Sequence, residues 1–241
     1  MSNLSTADPK CWICGGVATT REHFIKAADV RLVQGVKRGG VRLRHIRTGR
    51  ERKIQGAKSD YLKYQSSICA QCNNQHTQPH DVAYDGLISY INRNAPTILA
   101  EGRINLRTAF GLGRKERDRR QQNLVLYFVK RLGCAIMDAT GHANAVLAEA
   151  IMRNTPPRDF TLAFWIDEVL LQHTKQLDRW AIHGDLHAFT VTTPTDPSTG
   201  WATQYGQGWL HVGVWFNCHS PNAHPHVWTG TKPDILLERL S

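Results

Sequence analysis

The sequence predicts an α+β protein: a zinc-stapled module in the first half, followed by a domain of helices and an antiparallel sheet. Three observations carry this. Two Cys-x-x-Cys pairs stand at Cys11/Cys14 and Cys69/Cys72. Apolar residues recur at helical spacing at Val82, Tyr84, Leu87, Ile88 and Ile91, and again from Leu124 to Met137. Beyond residue 160, apolar and aromatic runs are bounded by Gly, Pro, Asp and Ser, as strands are.

The cysteine pairs come first in the chain. Each pair is spaced so that one turn presents two thiolates to one ion. Four soft ligands suit a tetrahedral Zn²⁺ and leave no open coordination position, so the ion is expected to be structural, with Cys11, Cys14, Cys69 and Cys72 as its ligands. Cys134 and Cys218 lie in apolar contexts and read as ordinary packing residues. Between the pairs, Phe24 to Val33 reads as a helix, and the stretch from Arg31 to Lys58 holds ten Lys or Arg against the single acid Glu51. Val41-Arg42-Leu43-Arg44-His45-Ile46-Arg47 alternates apolar and basic residues, which reads as a basic hairpin.

After Cys72 the sequence runs Asn73-Asn74-Gln75-His76-Thr77-Gln78-Pro79-His80-Asp81 into a helix that packs along one side. His76 and His80, four apart, point the same way only if that helix has already begun; a phosphate contact or plain exposure is the simpler reading. The charged run from Arg114 to Arg120 reads as a linker or as the exposed first turns of the next helix. Residues 121–138 and 143–153 read as helices, the second halted before Pro156-Pro157. Thr161–Ile166, His187–Thr192 and Trp209–Phe216 read as strands. Two domains are expected, 1–120 and 121–241.

Charge supports that division. Residues 1–120 carry 22 Lys or Arg against 10 Asp or Glu, whereas the remainder carries 8 against 10, so the formal net charge of +10 belongs to the first half. Such a field favours a polyanion, because neutralising phosphates releases condensed counterions. Arg42, Arg44, Arg47, Arg50, Arg52 and Lys53 are the expected phosphate contacts, which position a nucleic acid without reading its sequence. Trp12, Tyr61 and Tyr64 are placed for packing or for base stacking. The aromatic residues of the second half fill a sheet core or an interface, or form a base pocket. Its histidines, from His183 to His226, show no metal-ligand spacing. No run is long and apolar enough for a transmembrane helix, and Met1–Lys10 lacks the apolar core of a signal peptide, so a cytoplasmic location is expected.

Arg21-Glu22-His23 follows the first cysteine pair, and Asn73 follows the second directly. Phosphodiester hydrolysis needs a base for water and a hard cation at the scissile phosphate. His23 supplies the base, while the Glu22 carboxylate and the Asn73 amide oxygen supply cation ligands. In these residues the chain resembles the HNH, or His-Me finger, endonuclease superfamily, and within it the four-cysteine zinc group that includes phage recombination endonucleases. The resemblance covers roughly the first 90 residues. It implies a ββα-metal module, catalytic roles for His23, Glu22 and Asn73, a catalytic Mg²⁺ or Mn²⁺ beside the structural zinc, and DNA as substrate, with RNA the alternative. Glu22 stands where Asp is commoner, and the 54 residues between Cys14 and Cys69 make an unusually long connection. Competing readings are a catalytically inactive zinc-containing nucleic-acid-binding module and an interaction protein that oligomerises through residues 121–241.

Overall fold

The computed structural model describes residues 9–34, 41–44, 51–54, 56–65, 67–111, 113–173, 181–183, 187–192, 197–218 and 226–240. A four-cysteine region and a first helical layer precede one long central helix, and a mixed sheet lies on that helix's other side. The chain opens on a knuckle at Cys11–Gly16, then forms α1 (Ala27–Gln34). The expected hairpin is present as β1 (Val41–Arg44) paired antiparallel with β2 (Glu51–Ile54), Arg42 lying opposite Lys53 and Arg44 opposite Glu51. Arg47 and Arg50 lie outside the described residues. A π-helical turn over Cys72–His76 leads into α2 (Gln78–Glu101), which carries Pro79 in its first turn, where a missing N–H costs nothing. Pro96 lies inside α2 and the helix kinks at Asn94, whose side-chain amide donates back to the Tyr90 carbonyl at 2.8 Å.

The rest comprises β3 (Arg103–Asn105), α3 (Leu106–Phe110), α4 (Arg114–Thr140), α5 (Ala145–Met152), β4 (Phe160–Asp167), α6 (Glu168–His173), β5 (Ala181–His183), β6 (His187–Thr192), β7 (Pro197–Gln207), β8 (Leu210–Phe216), β9 (Val227–Trp228) and β10 (Asp234–Leu240). The sheet runs β3-β10-β4-β8-β7-β5, with β6 also on β7 and β9 also on β4. It is mixed, where the sequence suggested a purely antiparallel sheet: β10 lies parallel to β4 and antiparallel to β3. Side-chain alternation marks a strand but carries no direction, so the parallel edge has no local signature.

Helix α4 is buried continuously from Asn123 to Ile136, all the way round, because it is packed on both sides. On one side Tyr127 stacks on Tyr84 of α2, with ring centroids 4.0 Å apart. On the other, Phe128 meets Phe164 of β4 edge to face and Tyr205 of β7. The expected boundary at residue 120 falls inside this helix. One buried cluster runs from Cys11 to Leu237 across it, and β3, from the first half, forms an edge of the sheet. The run at Arg114–Arg120 is the opening of α4 rather than a linker. Among the described residues, no helix is long and apolar enough to cross a membrane.

The first cysteine turn docks on α4 through Trp12, which is buried and donates from Nε1 to Cys134 Sγ at 3.3 Å. The six-membered ring of its indole packs against Gly133, where an added Cβ would come within 2.4 Å of the ring. Alanine is the better helix former by roughly 1 kcal/mol, but overpacking a core typically costs about 1–3 kcal/mol. Gly133→Ala is therefore expected to lower stability in urea unfolding. A gain would mean that Trp12 can move aside without cost.

Candidate functional site

The four expected metal ligands converge. The first pair sits in a knuckle closed by the Cys11 N–H on the Gly16 carbonyl and the Gly15 N–H on the Cys11 carbonyl, at 2.6 and 2.8 Å. The second pair opens the turn before α2, where the Cys72 N–H donates to Cys69 Sγ at 3.3 Å. All four sulfurs lie within 4.8 Å of one another, and Cys14 Sγ is 3.7 Å from Cys69 Sγ. A disulfide needs about 2.05 Å, whereas a tetrahedral ion with bonds of about 2.3 Å to sulfur separates its ligands by roughly 3.8 Å. The cluster is thus compatible with a structural metal such as zinc. Among the described residues it is the one group of three or more His, Cys, Asp or Glu side chains that could hold a metal.

Glu22, His23 and Asn73 lie on the frame that this cluster braces. Residues 20–24 run antiparallel to 62–65 and 67–68, with Thr20 bridged to Ile68 and His23 to Lys63. The Tyr64 N–H donates to the Glu22 carbonyl at 2.9 Å and the Phe24 N–H to the Leu62 carbonyl at 2.8 Å. Successive residues of an extended segment face opposite ways. Glu22 accordingly meets α4, where its Oε2 is 2.8 Å from Lys130 Nζ, and the His23 ring meets the Ala57 carbonyl, with Nε2 at 3.1 Å. A carbonyl only accepts, so Nε2 carries the proton and Nδ1 of the neutral ring keeps its lone pair. Nδ1 has no hydrogen-bond partner among the described residues. Burial pushes the His23 pKa below its ordinary value against the opposing charge of Glu22, which favours the neutral ring.

Asn73 begins where the metal cluster ends. Its N–H donates to the Cys69 carbonyl at 2.9 Å and its Nδ2 to Thr20 Oγ1 at 3.3 Å, so its side chain is tied two residues from Glu22. Its Oδ1 accepts no hydrogen bond among the described residues. The three side chains share one frame, but each engages a different partner and none bonds another.

Sequence reading passed over what holds Glu22. Lys130 is 1% exposed, and its ammonium also lies 3.0 Å from Asp81 Oδ2. Burial works against its charge, but the carboxylates of Glu22 and Asp81 outweigh that and hold its pKa above the ordinary lysine value. Lys26 extends the network, 2.7 Å from Asp85 and 3.8 Å from Asp81, over the faces of Tyr84 and Tyr127. The next residue of α4, Arg131, donates to the Phe24 carbonyl and to Tyr127 Oη, and lies 4.3 Å over the Tyr205 ring. The signal for this pair was two cations inside an otherwise apolar run, Phe128-Val129-Lys130-Arg131-Leu132. Nearby, burial raises the Asp29 carboxyl to about 6, although the charges of Arg131 and Lys26 and a hydrogen bond from Tyr84 oppose it.

Other expected participants fall elsewhere. His80 is buried and bonds Asn154 Oδ1 at 3.0 Å, while His76 lies in the exposed preceding turn, so they make no metal pair. Trp12 and Tyr64 are core residues, and Tyr61 is exposed. Phe164, Trp165, Trp215, Phe216 and Trp228 are buried along the sheet. No protein-family model, curated protein or solved structure matches the chain.

Two measurements follow from this geometry. Lys130→Met leaves Glu22 and Asp81 packed together with no ammonium between them. Breaking a buried ion pair from one side costs about 3–5 kcal/mol, so a loss of that order is expected in denaturant unfolding, shrinking as acid protonates the carboxylates. With a metal held by the four cysteines, chelation would remove the brace at Cys11–Cys72. Hydrogen exchange should then show protection lost first around residues 11–24 and 62–73, before β4 and β8; simultaneous loss throughout would mean that the cluster supports the whole core.

Proposed function

We propose that this chain is a metal-dependent endonuclease of the His-Me finger type, with zinc in its four-cysteine cluster, that hydrolyses phosphodiester bonds in DNA. The observation that carries this is His23: a neutral imidazole, its Nε2–H directed at the Ala57 carbonyl and its Nδ1 left to accept a proton, on a segment braced by the metal cluster. His23 takes a proton from the attacking water at Nδ1. Asn73 Oδ1 and the Glu22 oxygen not engaged by Lys130 are the groups that would hold a catalytic Mg²⁺ or Mn²⁺. Such a cation supplies charge stabilisation at the scissile phosphate and the leaving oxygen. Arg131 and Lys130 do not touch substrate; they fix the backbone and the carboxylate on either side of the base. The basic strands β1 and β2, with Arg42, Arg44, Arg52 and Lys53, are the proposed backbone-binding element.

One observation favours a second reading, a nucleic-acid-binding module that does not cut: the Glu22 carboxylate already has a cationic partner in Lys130. Duplex, single-stranded and branched substrates incubated with Mg²⁺ or Mn²⁺ separate the two. His23→Ala is expected to slow cleavage by about 10²- to 10⁴-fold, the usual contribution of a general base, with metal content and nucleic-acid affinity retained. Equal turnover by the variant would remove His23 from the chemistry, and binding without cutting by the unaltered protein would establish the second reading. The pH profile is a further check. The base works when neutral and burial lowers its pKa, so the rate should hold on the acid side to below about 6.5, the ordinary imidazole value, before it falls.

A further inference from the structure

A second basic feature lies at the other end of α4. Arg114 and Arg117 from its opening turns, Arg107 from α3 and Arg158 from the α5–β4 connection line a cleft of about 860 Å³. Sites for organic ligands typically measure about 300–1,000 Å³. From Arg117 to Lys130 is thirteen residues of helix, about 20 Å at 1.5 Å per residue, so this cleft is separate from the frame of His23.

Four guanidinium groups here face one carboxylate, Asp118, which lies 3.9 Å from Arg114 and 3.8 Å from Arg117, beyond hydrogen-bonding distance. Arg107 and Arg158 have no acidic partner among the described residues. Arg117 is only 16% exposed, and its Nε is buried without an acceptor. A buried donor without an acceptor is unfavourable, so Arg117 stands at the cleft with hydrogen-bonding capacity that the described residues leave unused. Helix α4 starts from Gly113 with no side-chain cap, and although Glu116 lies in its first turn, that carboxylate is held by Arg119 and Arg120 and does not line the cleft.

The facing wall is fixed. Gln121 Nε2 and Trp228 Nε1 both donate to the Lys232 carbonyl, at 3.2 and 2.9 Å, and Gly230 packs so closely on α4 that a Cβ there would lie 2.6 Å from Val125. Thr229 and Thr231 place their hydroxyls 3.4 Å apart on this wall. Pro156 and Pro157, backed by buried Phe160, add an apolar surface suited to a base or sugar.

We propose that this cleft binds a nucleoside phosphate, its phosphate held by the arginines and the start of α4 and its base lying against the prolines. Guanidinium groups pair with phosphate oxygens bidentately, which distinguishes this chemistry from a diffuse basic surface. The phosphate arrives either on a free nucleotide or at the end of a nucleic-acid strand. The site depends on neither the metal cluster nor His23.

The test is equilibrium titration of the full chain with ADP and with short thymidine oligonucleotides bearing a 5′-phosphate or a 5′-hydroxyl. Saturable ADP binding assigns the free nucleotide; binding of the phosphorylated oligonucleotide alone, tighter than its hydroxyl counterpart, assigns the strand end. In either case the double variant Arg114→Gln/Arg158→Gln, altered at exposed positions, should bind about tenfold more weakly or worse, as should Thr231→Glu. His23→Ala should bind as the unaltered protein does, so this site can be established whether or not the chain cuts. Absence of phosphate-dependent binding to both probes, or equal affinity in both arginine and threonine variants, would overturn the proposal.

Discussion

The ammonium of Lys130, sealed inside the protein between Glu22 and Asp81, is the interaction on which the arrangement of the first half depends. An unpaired cation at that depth would cost several kcal/mol, so α4 tolerates it only when the strand-like segment around Glu22 and the start of α2 are both in place. Arg131, the next residue, works in the same way on a neighbouring atom, the Phe24 carbonyl. Two adjacent cations of one helix therefore hold both sides of His23. Buried ion pairs contribute little net stability against an apolar alternative, but a mispositioned one is expensive. Here that asymmetry fixes the register of residues 20–24 against the helix.

The four-cysteine cluster and the central helix are complementary constraints on the same frame. The cluster joins two segments distant in sequence, around Cys11 and Cys72, and so sets where Thr20 and Asn73 meet. It cannot by itself orient what lies between its ligands. That falls to α4, which receives Trp12 at Gly133 and Glu22 at Lys130, one turn apart on the helix. The second half is thus not an appendage to a metal module: the helix that the sheet packs against also completes the module's interior.

This explains which parts were legible in the sequence. Cysteine spacing, the alternation at Val41–Arg44, the helical recurrence after Asp81 and the apolar runs of β4, β6 and β8 are local patterns, and each appears as an element or cluster. Strand β7, Pro197–Gln207, mixes Pro, Gly and polar residues and gave no such pattern, and the direction of β10 is set by a partner some seventy residues away. Lys130 and Arg131 were hidden because charges on a helix read as its solvated face, a rule that fails when both sides are packed. The Ala57 carbonyl that orients His23, and the four arginines gathered from three separate segments, are likewise products of tertiary structure.

Lys130 also bears on how the proposed nuclease would treat its cation. A carboxylate shared with an ammonium is a poorer ligand for a hard ion than a free one, since part of its charge is already neutralised. Asn73 adds a neutral oxygen and no compensating charge. In the proposed nuclease, a ligand set of Glu22 and Asn73 would be weakly anionic, and negative charge from a scissile phosphate would complete it better than another side chain. On the proposed reading, cation and nucleic acid would then bind with mutual reinforcement, each supplying the charge that the other lacks. The same ammonium that keeps the fold in register would keep the site from holding a metal tightly until the phosphodiester is present.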